Sequence, residues 1–252
     1  MSFALLVLAG VGAGLSGSIA GLASLISYPA LLAVGLPPLT ANVTNTVALV
    51  FSSVGSVSAS RPELARQRSR LVRLVPAAVL GGALGALLLL LTPAETFERI
   101  VPVLIAVASL AVVFRRRPTT LPDGPAPGGV PRRDRGWLLA AVFGIEIYGG
   151  YFGAAAGVLL LALILHATEE ILATSNAVKN VLLGAANLVA AIGFAVFADV
   201  AWLSALPLAL GFFVGGRIGP WVVRRVPATP LRIAIGVVGL GLAVKLGLDA
   251  YR

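Results

Sequence analysis

Residues 17–55 read GSIAGLASLISYPALLAVGLPPLTANVTNTVALVFSSVG: a glycine-rich apolar run, a Pro37-Pro38 break, and a polar cluster opening the next apolar run. The cluster is Asn42, Thr44, Asn45 and Thr46. Shifted by 132 positions, the plan returns over residues 149–187 as GGYFGAAAGVLLLALILHATEEILATSNAVKNVLLGAAN. Gly17 meets Gly149, Gly21 meets Gly153 and Ala41 meets Ala173. A second polar cluster, Thr174, Ser175, Asn176, Lys179 and Asn180, follows the second break. A break followed by polar residues, twice and deep in apolar sequence, is the pattern of a membrane transporter's binding centre.

Composition sets the surroundings of that pattern. The chain is 58% hydrophobic and 12% charged, with a mean hydropathy of +0.99, whereas a soluble domain carries about a quarter charged residues. Apolar runs long enough to cross a bilayer recur along it. The fold class is therefore an all-α polytopic membrane protein. The net charge of +9 does not imply nucleic acid, because the arginines cluster at 61–73, 115–117, 132–135 and 224–225, between apolar segments. That is the distribution of the positive-inside rule. The absence of cysteine excludes disulfides and thiolate chemistry. The N-terminal run lacks a basic leader region and is read as retained structure.

Residues 3–34 and 137–165 are each too long for one straight span, and glycines in the middle of each predict a broken or hairpin element. Each is followed by a polar-opening segment (39–60 and 171–198) and then a segment with Gly-Gly-x-x-Gly (residues 81–85 and 215–219). Such small residues let a neighbouring helix come close. The later part of the repeat runs at an offset of 134, with Pro93-Ala94 meeting Pro227-Ala228. The organisation is thus a first transmembrane repeat over 1–117, a basic Pro/Gly linker over 118–135, and a second repeat over 136–252, each of about five helical segments.

The basic loops 61–73, 115–135 and 224–232 are expected on the cytoplasmic side, and the mildly acidic link 92–99 outside. Because 92–99 and 224–232 are equivalent, the halves face opposite ways and each broken element starts and ends on one side. This puts both termini outside the cell's inner membrane. Eight simple spans in a parallel repeat are the alternative, and would leave Arg224, Arg225 and Arg232 outside.

Two ionisable residues lie inside apolar sequence, Glu146 and Lys179. Each costs about 2.5–3.5 kcal/mol at a helix centre if it is unpaired and faces lipid. Their similar depth makes a Glu146–Lys179 pair or a shared wet cavity the cheapest arrangement. Lys179 is expected to attract an anion and Glu146 to titrate or gate; a structural ion pair is the plainer reading. The clusters Asn42/Thr44/Asn45/Thr46 and Thr174/Ser175/Asn176/Asn180 come at predicted helix starts, where unpaired N–H groups and the dipole favour an anion. Asn187 and the serines between 52 and 60 read as packing glue. Arg217 is expected to reach the cytoplasmic interface, His166 to sit in a loop, and Glu169 and Glu170 to be solvated.

No nucleotide loop, metal motif or nucleophile–base set is present, so no enzyme, cofactor or metal is expected, and transport is passive or gradient-driven. Partners are a small anionic substrate and membrane lipid, with no nucleic acid; a homo-oligomer is left open. A passive anion channel and a non-transporting membrane scaffold are the competing functions.

The glycine-rich element with its proline (Gly17, Gly21, Pro29), the Gly-x-Pro turn (Gly35, Pro37) and the Ala-x-x-Thr opening (Ala41, Thr44) together resemble the TauE/SafE family. The resemblance covers nearly the whole length, although Leu161 stands at the proline's position in the second copy. It implies a secondary transporter for small sulfur-containing or organic anions, moved with protons.

Overall fold

The computed structural model describes residues 2–113, 135–168 and 170–224, with isolated positions beyond 239. The linker 118–135 (apart from Arg135), Glu169, and nearly all of the 231–248 segment lie outside the described residues. Among the described residues, all regular structure is helical. In order it comprises α1 (Ser2–Ala20), α2 (Ser24–Ala33), α3 (Pro38–Ala59), α4 (Arg61–Leu64), α5 (Arg68–Leu91), α6 (Ala94–Val113), α7 (Arg135–Tyr151), α8 (Ala156–Ala167), α9 (Leu172–Phe197) and α10 (Trp202–Val223). Four of these, α1, α5, α9 and α10, are long and apolar enough to cross a membrane.

Both glycine-rich runs break where the sequence repeat aligns them. Gly21 has φ +78° and Gly153 has φ +73°, a left-handed backbone open to glycine at little steric cost. After each break a short helix follows, α2 of 10 residues and α8 of 12. At 1.5 Å per residue these reach about 15–18 Å, roughly half of a hydrocarbon core. Each broken element is therefore a long limb that leads into a half-length one.

The two breaks touch each other. A Cβ on Gly21 would fall 2.5 Å from the Cα of Gly157 in α8, and one on Gly157 would fall 2.6 Å from the Cα of Gly21. Around this crossing, each Gly-Gly-x-x-Gly helix packs on the broken limb of the opposite half. In α5, a Cβ on Gly81 would lie 2.5 Å from the Phe143 carbonyl of α7. In α10, Gly211 and Gly215 press onto the backbone of α1 at Val7 and Val11. Lipid supplies little drive for helices to associate, so close backbone contact of this kind holds the halves together.

Contacts along these interfaces set the helix directions. Gly10 meets Leu208, Gly14 meets Phe212 and Gly219 meets Ser18, so α1 and α10 are parallel. The Ala201 amide donates to Thr44 Oγ1 and Arg224 donates to the Ala59 carbonyl, which makes α3 parallel to α10. Gly81 meets Phe143 and Gly85 meets Ile147, so α5 and α7 are parallel. Glu170 meets Arg70 and Gly82 meets Ala186, so α9 runs with α5. Glu170 opens the approach to α9 close to where α3 has ended, so the two sets of three run in opposite senses. These directions agree with an inverted repeat.

Two ion pairs join the halves at the end where α3 finishes and α5 and α9 begin. They are Arg70–Glu170 at 3.0 Å and Arg224–Glu63 at 2.6 Å. Glu170 is thus partnered rather than solvated, and it also accepts from Gln67. Its partners come from the basic loop of the other half, a contact of 100 residues' separation. His166 lies in the last turn of α8 and is exposed, not in a loop. The expected link 92–99 shrinks to Thr92 and Pro93, since α6 begins at Ala94 with Glu95 in its first turn, where the helix dipole favours an acid. Arg217 donates to Ser58 Oγ at 3.1 Å.

Candidate functional site

Where the breaks cross, a cavity of about 40 Å³ lies between α3 and α9. Roughly 10–15 Å³ on this measure holds one water, so the space suits a small ion or a few waters. Its walls are Gly17, Gly21 and Ser24 of the first broken element and Gly149, Gly153, Ala156 and Gly157 of the second. Helical spacing supplies the rest: Thr46, Ser52, Ser53 and Ser56 from one face of α3, and Asn180 and Asn187, two turns apart, from α9. Phe152 closes part of the wall, with Tyr28 stacked edge-on at 5.5 Å and Phe97 at 6.1 Å. Among the described residues, no charged side chain lines the cavity.

Two half-length helices start at this wall. Neither α2 nor α8 has a side-chain cap on its N-terminus, and Ala23, Ser24, Ala155 and Ala156 are all buried. The first amides of a helix have no acceptor within it, and they carry the positive end of its dipole. Several of these amides bond to carbonyls just before the helix, Leu25 to Leu22, Ile26 to Ala23, Ala156 to Gly153 and Val158 to Ala155, so what the two starts bring to the wall is chiefly the positive end of the dipole. Ala155, the residue before α8, is held at φ +60°, a strained conformation for a side chain with a Cβ. Asn180, 4% exposed, adds a side-chain Nδ2 with no hydrogen-bond partner.

The polar clusters expected to receive an anion at the starts of α3 and α9 are divided in the structure between the cavity wall and ties to other elements. Apart from Thr174 in the first turn of α9, the polar clusters lie past the first amides of those helices: Ala41 N already bonds to the Pro37 carbonyl, and Ser175 N to that of Ile171. Most of the cluster instead ties elements together. Asn45 accepts from Ser27 Oγ at 2.6 Å and donates to Ser24 Oγ at 3.2 Å, fastening α2 to α3. Thr44 Oγ1 receives the Ala201 amide at the start of α10 at 3.0 Å. Asn42 Nδ2 donates to the Tyr151 carbonyl at the end of α7 at 2.9 Å. In the other half, Asn176 Nδ2 donates to the Ser18 carbonyl near the end of α1 at 2.7 Å. Thr46 bonds back to the Asn42 carbonyl at 3.0 Å and Ser175 to that of Glu170 at 3.4 Å, while Thr174 is buried. Of the clusters, Thr46 and Asn180 reach the cavity wall. Asn45→Leu is expected to lower stability by about 1–3 kcal/mol, because it removes the buried ties to Ser24 and Ser27, of which Ser27 keeps only the Ala23 carbonyl. Thermal unfolding in detergent measures it.

Glu146 and Lys179 are both fully buried but do not form the expected hydrogen-bonded pair. Lys179 Nζ donates to the Gly17 carbonyl at 2.9 Å and the Ser18 carbonyl at 3.4 Å. The last carbonyls of α1 attract the ammonium because they carry the negative end of its dipole; the Gly17 carbonyl accepts it beside the Gly21 amide, which it also receives at 2.8 Å. Both Glu146 oxygens accept no hydrogen bond, and Oε2 lies 2.8 Å from where a Cβ on Gly149 would stand, behind the cavity wall. Sequence reasoning missed Ser24 and set aside Ser52, Ser53, Ser56 and Asn187. Their helical spacing was the available signal, but their orientation depended on how α3 and α9 face each other.

The family profile described as "Sulfite exporter TauE/SafE" matches residues 6–246. Among curated proteins, the chain is 30% identical over 255 residues to a Sinorhizobium sp protein named "Probable membrane transporter protein ORF9", covering 98% of this chain and 92% of the relative. It is 27% identical to "Probable membrane transporter protein YfcA" of Escherichia coli strain K12, over 95% of this chain and 87% of the relative. A "Probable membrane transporter protein" of Haemophilus influenzae is 26% identical, over 98% of this chain and 94% of the relative. No solved structure matches. A helical chain with membrane-length apolar spans, a polar crossing at its centre, and full-length likeness to these proteins belongs to the TauE/SafE family of membrane transporters.

Proposed function

We propose that this chain is a secondary transporter of a small anion, a sulfur oxyanion such as sulfite or a small sulfonate or organic anion, in the cell's inner membrane. One observation carries the reading: two buried, uncapped helix N-termini, those of α2 and α8, converge on one cavity whose largely apolar wall is set with serine, threonine and asparagine side chains. The anion is held there by amides, hydroxyls and carboxamides, with Ser24, Ser53, Asn180 and Asn187 as the side-chain donors and Thr46 beside them. The basic loops lie on the cytoplasmic side and both termini outside. Glu146, behind Gly149, carries the proton whose gradient drives transport.

Purified protein in liposomes is expected to catalyse saturable counterflow of labelled sulfite. Asn180→Leu, which removes a donor and fills the cavity, is expected to cut that exchange at least about tenfold while the protein stays folded, since a lost hydrogen bond to a charged group is worth roughly 1.5–3 kcal/mol. Flux that does not saturate marks a channel. Absence of flux for sulfite, sulfonates and small carboxylates alike overturns the transporter reading.

A further inference from the structure

At each break the negative end of one helix meets the positive end of the next. α1 ends at Ala20 and α2 begins at Ser24, so an anion drawn to the start of α2 also faces the last carbonyls of α1. Opposed helix ends of about half a unit charge each largely cancel at such a point. In the second half, the end of α7 is met by a neutral donor, Asn42 Nδ2 on the Tyr151 carbonyl. In the first half, the end of α1 is met by a cation: Lys179 Nζ on the Gly17 and Ser18 carbonyls, with Asn176 beside it on Ser18. Asn176 and Lys179 occupy the face of α9 turned to α1, whereas Asn180 and Asn187 occupy the face turned to the cavity. Gly17 belongs to both settings: its carbonyl receives Lys179, and it forms part of the cavity wall.

We infer that Lys179 is a positioning residue that masks the negative end of α1, leaving the start of α2 as the dominant field in the cavity, and that it acts on the anion through α1 without touching it. The ammonium on the Gly17 and Ser18 carbonyls offsets the half charge at the end of α1, whereas at the second break Asn42 brings no charge to the end of α7 and Glu146 lies behind Gly149. The anion is therefore drawn toward the α2 side of the cavity, and the two halves contribute unequally. The repeat partner of Lys179 is Val47, so nothing reproduces this masking in the second half at that position.

The inference rests on the cavity being the anion site, and the experiment separates the two. Wild-type protein and Lys179→Gln and Lys179→Arg variants are reconstituted, and sulfite counterflow is fitted for KM and kcat. Lys179→Gln keeps amide donors for the carbonyls but removes the charge, so KM is expected to rise about tenfold with kcat changed far less. Lys179→Arg keeps the charge and is expected to hold KM within about threefold of wild type. If Lys179→Gln does not fold, Asn176→Asp sets a carboxylate beside Lys179 and is expected to raise KM in the same way. Unchanged KM in the neutral or the Asp variant overturns the inference, as does an Arg variant that folds but matches the Gln variant. Failure of wild-type protein to exchange sulfite or any other small anion removes the anion-site reading itself.

Discussion

Gly21→Ala is expected to leave little folded protein. Its φ of +78° costs a residue with a Cβ about 1–2 kcal/mol. The larger cost is steric: the new Cβ would stand 2.5 Å from Gly157 Cα and 2.6 Å from Val158 N. Both are backbone atoms, so no rotamer change relieves the contact, and the two broken elements must move apart at the centre of the fold. Overpacking alone typically costs about 1–3 kcal/mol, against a total stability of roughly 5–15 kcal/mol. Gly35→Ala is the control. It has φ +91° too, but nothing lies within 4 Å of its added Cβ, so it should bear the conformational cost alone. Monodisperse yield and thermal unfolding in detergent compare the two; equal behaviour would show that the crossing of the breaks is not a tight contact.

Glu146→Met is expected to raise stability and end gradient-driven transport together. The wild-type carboxyl is fully buried with both oxygens unbonded, and a buried polar group without a partner costs about 1–3 kcal/mol. An unbranched apolar side chain of similar length removes that cost and fills the space. For a chain of this size, the gain corresponds to a melting-temperature rise of roughly 2–10 °C. A group kept at that cost is one whose removal should be felt in function. Sulfite accumulation driven by a pH gradient is expected to vanish in Glu146→Met, while counterflow at equal pH persists. A lower melting temperature, or accumulation at the wild-type rate, would remove Glu146 from the coupling role.

Much of the frame was legible in the chain. The breaks were readable because left-handed backbone is cheap mainly for glycine, so Gly21 and Gly153 announce themselves locally. The Gly-Gly-x-x-Gly runs announced close packing, since lack of side chains is a property of the residues themselves. They did not announce their partners: that α5 grips α7 and α10 grips α1 depends on how the halves interlock. Glu170 was misread for the same reason, because Gln67 and Arg70 approach from the opposite half. The polar clusters were recognised as significant, yet most of their side chains became ties between helices. The neglected serines of α3 and Asn187 came to face the cavity instead.

By itself, then, the sequence determined the membrane setting, the repeat, the positions of the breaks and the polar character of the centre, all of which follow from local residue chemistry and periodicity. The tertiary structure decided which polar groups face the cavity and which are consumed in holding it. It also decided that Lys179 turns to the end of α1 while Glu146 is left unbonded behind Gly149. The physical reason is that the orientation of a side chain around a helix has meaning only relative to the helix packed against it. Here that neighbour almost always belongs to the other half of the chain.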